Sequence, residues 1–259
     1  MRDSSVAAPY LQLQNVSRHF GGLTAVNDVT LAVQPGARHA VIGPNGAGKT
    51  TLFNIISGEL PASSGTIVLN GADITKSAPN QRAARGIART FQITRLFSEL
   101  TVTENVLLAC AALDQRKFAM FRPLSSFNEF AERAARLLDQ FGLSSLANER
   151  AGHISYGARR RLDVALALAG RPTLLLLDEP MAGLSTPERV AMLTLLEQLD
   201  PSIAVLLIEH DMDVAFSFAR RVTVLHHGKV LADGSRDEIS GNDLVQKAYL
   251  GAVDESSRR

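Results

Sequence analysis

Gly43-Pro44-Asn45-Gly46-Ala47-Gly48-Lys49-Thr50 stands between a short apolar run, Ala40 to Ile42, and a second apolar segment from Leu52 to Ile56. The pattern G-x-x-x-x-G-K-[ST], set between a strand and a helix, is the arrangement that holds phosphate groups. Its glycines let successive backbone N–H groups turn toward one point. The start of the following helix adds the positive end of its dipole, worth 0.3 to about 2 kcal/mol per anionic charge. Lys49 is placed to bridge two neighbouring phosphates and the Thr50 hydroxyl to meet Mg2+, an ion that keeps most of its waters and takes few protein ligands. The alternative reading is a glycine turn that only caps a helix.

Working outward, Ala40 to Ile42, Thr173 to Leu177 and Ile203 to Ile208 are apolar runs of the kind that form strands buried on both faces, each followed by a helical pattern. Three such units predict a parallel-sheet α/β core. Leu11 to Val16, Val29 to Val33, Thr66 to Leu69 and Val222 to Leu231, the last turning at His227-Gly228, favour antiparallel pairing in a β layer beside that core. Between them, Thr103 to Leu146 is mostly helical, with Glu132, Arg133 and Arg136 set among Ala134, Leu137, Leu138 and Phe141 at helix spacing. A helix from Pro187 is expected to stop before Asp200-Pro201, since a proline disfavours helical geometry in the residue ahead of it.

The 259 residues suffice for a full hydrophobic core in one domain with a subdomain. With 27 Lys plus Arg against 26 Asp plus Glu, charge makes no case for a nucleic-acid partner. The one cysteine, Cys110, cannot close an intramolecular disulfide, which suits a reducing compartment and a buried apolar role. No apolar run is long enough to span a membrane.

The strand Thr173 to Leu177 runs into Asp178-Glu179, so two carboxylates emerge at the carboxyl edge of a sheet, where α/β proteins bind ligands. Neighbours at a strand end point in different directions, which lets Asp178 support a metal ion through water while Glu179 orients or deprotonates an attacking water. Ile203 to Ile208 ends likewise in Glu209-His210, where His210 is either a sensor of a terminal phosphate or a structural histidine. Phe118, Phe121, Phe127 and Phe130 either anchor a partner or pack internally. Arg159-Arg160-Arg161 reads as a solvated helix face with one salt bridge, and Met212, Ala215, Phe216 and Ala219 as a core stripe.

In this order, the phosphate loop, the leucine-rich strand ending in Asp178-Glu179 and then His210 resemble the nucleotide-binding subunits of ATP-binding cassette transporters, over about residues 10 to 250. That family carries a glutamine loop and a Leu-Ser-Gly-Gly-Gln signature between the first two motifs. Thr90-Phe91-Gln92 and Ile154-Ser155-Tyr156-Gly157-Ala158 stand in those places, the second departing from the consensus at Ile154, Tyr156 and Ala158. The resemblance implies a phosphate-loop NTPase fold with an antiparallel β subdomain and an α-helical signature subdomain at about residues 95–170, within a domain at residues 11–250 between tails 1–10 and 251–259. It implies ATP and Mg2+ as ligands. ATP would be held by Phe20, stacked on adenine, and by Gly43, Pro44, Asn45, Gly46, Ala47, Gly48, Lys49, Thr50 and Thr51. Thr50, Gln92 and, through water, Asp178 would hold Mg2+, with Glu179, His210 and Gln92 acting in hydrolysis. Ser155, Tyr156 and Gly157 would act on the ATP of a second cassette packed head to tail, and Ala182-Gly183-Leu184-Ser185 is similar to the loop that crosses between the two.

The runs Gly86 to Gln92, Arg95-Leu96-Phe97, Ile208 to Met212 and Ala248-Tyr249-Leu250-Gly251 are similar to the branched-chain amino acid uptake cassettes. That implies two permease subunits, a second related ATP-binding subunit and, indirectly, a substrate-binding protein, with this chain on the cytoplasmic face of the membrane. The alternative is a soluble cassette ATPase with no role in transport.

Overall fold

A computed structural model describes residues 8–90, 96–112 and 128–256, with side chains described as far as Tyr249. Its elements run β1 (Leu11–Phe20), β2 (Leu23–Val33), β3 (Arg38–Ile42), α1 (Lys49–Ser57), β4 (Ser64–Leu69), β5 (Ala72–Asp73), α2 (Pro79–Ala84), β6 (Ile87–Arg89), α3 (Val102–Ala111) and α4 (Asn128–Gln140). After a 3-10 turn at Ser144–Leu146 come α5 (Tyr156–Ala169), β7 (Leu174–Asp178), α6 (Thr186–Glu197), β8 (Ala204–Glu209), α7 (Met212–Phe218), β9 (Arg221–His226), β10 (Lys229–Gly234), α8 (Arg236–Ser240) and α9 (Asp243–Ser256). They divide into two compact units, Met1–Arg82 with Pro201–Arg259, and Ala83–Asp200.

The first unit holds an antiparallel sheet in the order β2-β1-β4-β5. Leu11, Leu13 and Val16 of β1 and Val29, Leu31 and Val33 of β2 are buried between more exposed neighbours, the pattern of a sheet with one covered face. Beside it, β3 pairs in parallel with both β8 and β9, and β9 turns back antiparallel as β10. The hairpin at Val222 to Leu231 therefore extends the parallel sheet and does not join the antiparallel layer, contrary to the expectation from sequence. Val222, Val224 and Leu225 are fully buried, which suits a strand inside the parallel sheet. The hairpin also carries a polar chain that runs from the buried His39 and Thr223 out to the exposed Asp233 and Arg221. The His39 Nε2 lies 2.8 Å from Thr223 Oγ1, and the Thr223 hydroxyl donates to Asp233, which Arg221 grips with two N–H groups.

Helix α1 is tied at its far end by Arg82, which is 1% exposed. Its guanidinium donates to the carbonyls of Ile55 and Ile56 at 2.6 and 2.8 Å, and to those of Ser77 and Thr75. A cation here satisfies last-turn carbonyls and lies at the negative end of the helix dipole.

In the second unit β6 and β7 pair in parallel, and Leu174 to Leu177 are fully buried. The first turn of α3 is closed by a reciprocal cap between Thr101 and Glu104. Phe130, Ala134, Leu137 and Leu138 form the buried stripe of α4. Phe130 is thus core, while Phe118, Phe121 and Phe127 lie outside the described residues. Cys110 is buried, and burial pushes its thiol pKa up. The three arginines of α5 do not form a solvated face. Arg159 donates to the carbonyls of Ile154 and Gly152, Arg161 to those of Phe141 and Gly142, and Arg160 is buried. Arg161 works on partners 20 and 19 residues away, which local charge patterning could not disclose.

Replacing Arg82 with Met removes the donor shared by the carbonyls of Ile55, Ile56, Ser77 and Thr75, so urea titration should show a loss of about 3 kcal/mol or more in unfolding free energy; a change under about 0.5 kcal/mol would contradict this role for Arg82. Burial holds the His39 pKa near 4, below its ordinary 6.5, while Asp233 pulls it up and Arg221 down. The unfolded chain then binds the extra proton between those values, so this stability is complete above about pH 6.5 and is lost as pH falls toward 4. About 2 kcal/mol should disappear between pH 7 and pH 5, and His39→Gln should flatten that part of the pH–stability curve. An unchanged slope in the variant would refute the assignment.

Candidate functional site

In the first unit, β3 ends at Ile42, whose register partner on β8 is Glu209, so the phosphate loop and Glu209-His210 leave adjacent strand ends. The loop reaches α1 through Gly48, with φ +100 and no side-chain cap, and no acidic residue stands in the first turn. The positive end of α1 is therefore left uncompensated by side chains, as an anion site requires. Gly48 must lack a side chain, because a Cβ there would run into the carbonyl of Ala25. The tip of the β9–β10 hairpin fixes the loop from the other side, where Gly228 N–H donates to the Ala47 carbonyl at 3.0 Å.

Lys49 is 6% exposed, and its Nζ donates to the carbonyls of Gly43 and Pro44 at 2.7 and 3.1 Å. The ammonium is thus folded back over the loop that bears it. Pro44 and Thr51 are half-buried, Ala47 is buried, and Asn45, Gly46 and Thr50 are exposed. Phe20, at the end of β1, is 42% exposed, with the Arg18 guanidinium 4.6 Å from its ring centre. A flat apolar ring, backed by a cation and open to solvent, can stack on a purine. His210 is exposed, with Nδ1 4.0 Å from the buried Glu209 carboxylate, and Asp211 caps α7. Helix α9 brings Tyr249 beside the Gly43 backbone and Asp211, and burial pushes its phenol pKa well above the ordinary range. The sequence marks Tyr249 only as part of a family-like run, with nothing to place it at the loop.

In the second unit, Asp178 ends β7 at 2% exposure, and its Oδ2 accepts from Arg89 Nη2 at 2.9 Å. Its N–H donates to the Thr90 hydroxyl at 3.2 Å, while the Thr90 N–H donates to the Leu176 carbonyl. Arg89 is the partner that sequence reading missed, since 89 residues separate it from Asp178. Glu179 is half-buried and has φ +47, the left-handed region, which costs a residue with a side chain about 1–3 kcal/mol. A turn holds it there, in which the Ala182 N–H donates to the Glu179 carbonyl at 3.1 Å. The two adjacent carboxylates thus occupy different environments, one buried against a cation and one on a strained turn.

Ser155 caps α5, its Oγ accepting from the Ala158 N–H at 3.2 Å, which leaves the hydroxyl proton to be donated elsewhere. Tyr156 is exposed, while Gly157 and Ala158 are buried. A Cβ on Gly157 would strike the Glu188 carboxylate, which accepts from Ser185 N–H and Oγ at the start of α6. Those bonds hold the Glu188 pKa below its usual value. Phe91 and Gln92 lie outside the described residues.

Thr50 in the first unit and Asp178 in the second each present a hard oxygen, the donor type that Mg2+ prefers. Among the described residues no cluster of three or more His, Cys, Asp or Glu gathers to cage a metal by itself.

A model of the ABC transporter family matches residues 26–182. The high-affinity branched-chain amino acid transport ATP-binding protein BraF of Pseudomonas aeruginosa is 40% identical over 253 residues, covering 95% of this chain and 99% of BraF. Among solved structures, the ADP conformation of MJ1267, an ATP-binding cassette of an ABC transporter, superposes with a TM-score of 0.83 at 28% identity, over 95% of this chain and 100% of that one. The dimeric post-hydrolysis cassette MJ0796, bound to ADP and Pi, gives a TM-score of 0.75 at 26% identity, over 87% of this chain and 98% of that one. A phosphate loop closed over its own lysine, a strand ending in two carboxylates and a serine-capped signature helix accompany these likenesses, and the chain belongs to the ATP-binding cassette family of ABC transporters.

Proposed function

We propose that this chain is the ATP-hydrolysing subunit of an importer for branched-chain amino acids or related small solutes, and that it works as one half of a cassette pair. The observation that carries the reading is the uncapped start of α1, with the Lys49 ammonium turned onto the Gly43 and Pro44 carbonyls of the phosphate loop, alongside the 40% identity to BraF.

In this mechanism backbone N–H groups from among residues 45–51 take the ATP phosphates, and Phe20 stacks on the adenine. Lys49 exchanges its loop carbonyls for the β and γ phosphates. Thr50, Gln92 and, through water, Asp178 would hold Mg2+, which supplies neutralisation of the phosphate charge. Glu179 takes a proton from water as the water oxygen bonds to the γ phosphorus and the bond to the β–γ bridging oxygen breaks, giving ADP and phosphate. His210 senses the γ phosphate. Ser155, Tyr156 and Gly157 serve the ATP of the second cassette, so each site draws on two chains; the dimeric ADP and Pi state of MJ0796 supports pairing of this kind.

No helix among the described residues is long and apolar enough to cross a membrane. In this reading the chain reaches the bilayer through integral-membrane permease subunits on the cytoplasmic face, with a substrate-binding protein outside. Copurification with permeases, followed by ATPase assays stimulated by leucine-type amino acids, tests the transport assignment.

Glu179→Gln should keep ATP affinity and lower turnover by about 10² to 10⁴, the contribution of a positioned base; near-normal hydrolysis would remove Glu179 from that role. Lys49→Ala should weaken ATP binding about 100-fold or more in calorimetry, because charge-assisted bonds to phosphate are lost. Unchanged affinity would refute the phosphate-loop assignment.

A further inference from the structure

Where the family signature has glycine, this chain has Tyr156, and the side chain does not simply project from the helix start. Its hydroxyl donates to the Ala182 carbonyl at 3.0 Å and accepts from Arg160 Nε at 2.9 Å. The Arg160 guanidinium is buried and lies 5.2 Å from the Tyr156 ring centre. Gly183 packs against the same ring, where even a Cβ would lie 3.0 Å from it. An exposed tyrosine with both hydrogen-bonding capacities of its hydroxyl engaged, held by a buried cation, is a fixed group and not a loose surface side chain.

Ala182 links it to the catalytic strand end. Its carbonyl accepts from Tyr156, and its N–H donates to the carbonyl of Glu179. Two hydrogen bonds in series therefore join the signature to the backbone of the carboxylate assigned as base. That backbone needs restraint, because Glu179 sits at φ +47, where a residue with a side chain relaxes unless its surroundings hold it. A second tie runs parallel, from Gly157 packed on Glu188 to Ser185 at the start of α6.

We propose that Tyr156 is a positioning residue for Glu179, transmitting the placement of the signature helix, which faces the other cassette's ATP, to the base of this chain's own ATP site. The proposal rests on the reading of Glu179 and of the composite site given above. A glycine at this position has no hydroxyl, so the link belongs to this form of the signature.

The test uses the assembled transporter in which the second cassette lacks its own catalytic carboxylate, so that all turnover comes from this chain's Glu179. If the second cassette is another copy of this chain, the two copies carry different tags. Tyr156→Phe keeps the ring and removes the hydroxyl. It should lower kcat about five- to thirty-fold with KM for ATP and melting temperature unchanged. Arg160→Lys, which keeps the phenol and removes the Nε–H donor, should show the same split between kcat and KM, and it carries the test should Tyr156→Phe lower the melting temperature. Unchanged kcat in this assembly overturns the proposal. Glu179→Gln in the same assembly separates the two levels: full turnover with it overturns the reading of the base itself, whereas its loss beside unaffected Tyr156→Phe turnover overturns the link alone.

Discussion

The first unit turns on an electrostatic conflict at the start of α1. A helix carries roughly half a positive charge at its N-terminus, and Lys49 places a full ammonium, 6% exposed, at that same end. The Gly43 and Pro44 carbonyls accept from that ammonium and offset part of the repulsion. At the opposite end Arg82 stands where a cation is favoured and satisfies the final carbonyls. Both ends of a nine-residue helix thus carry cations, and only the N-terminal one is in conflict. A polyanion resolves that conflict. The surrounding elements hold the loop so that it cannot relax in another way: β3 is buried behind it, the Ala25 carbonyl closes on Gly48 and the β9–β10 tip binds Ala47.

The second unit is built around a different constraint, the separation of two adjacent carboxylates. Asp178 is buried and neutralised by Arg89, while Glu179 is turned into the left-handed region by the bend that follows. The start of α5 belongs to the same arrangement. Gly157 makes room for Glu188, and Tyr156 reaches the peptide that closes the Glu179 turn. Residues that the sequence presents as a separate signature are, within this unit, packed on the segment after Glu179.

The phosphate loop, the three buried strands and the paired carboxylates were legible because each depends on residues close together in the chain: a motif, an apolar run, a strand end. The antiparallel partners of β1 were legible for the same reason, from alternation. What was hidden depends on distant pairing. The β9–β10 hairpin reads as antiparallel locally, and its place beside β3 is decided by burial on both faces. Arg82, Arg89 and Arg161 look like ordinary surface charges until the carbonyls or carboxylate they serve are brought to them. Tyr249 is likewise invisible as a neighbour of Gly43. Gln92, the one expected site residue set between the two sets of motifs, lies outside the described residues.

The central claim is that an ATP site in this chain is only half a site. The most direct measurement is ATP turnover per chain across a dilution series, alone and with the permeases and second cassette. The account predicts a specific rate that rises with concentration and reaches a plateau on assembly. A specific rate that stays constant on dilution of the isolated chain, down to concentrations where it sediments as a monomer, would contradict it.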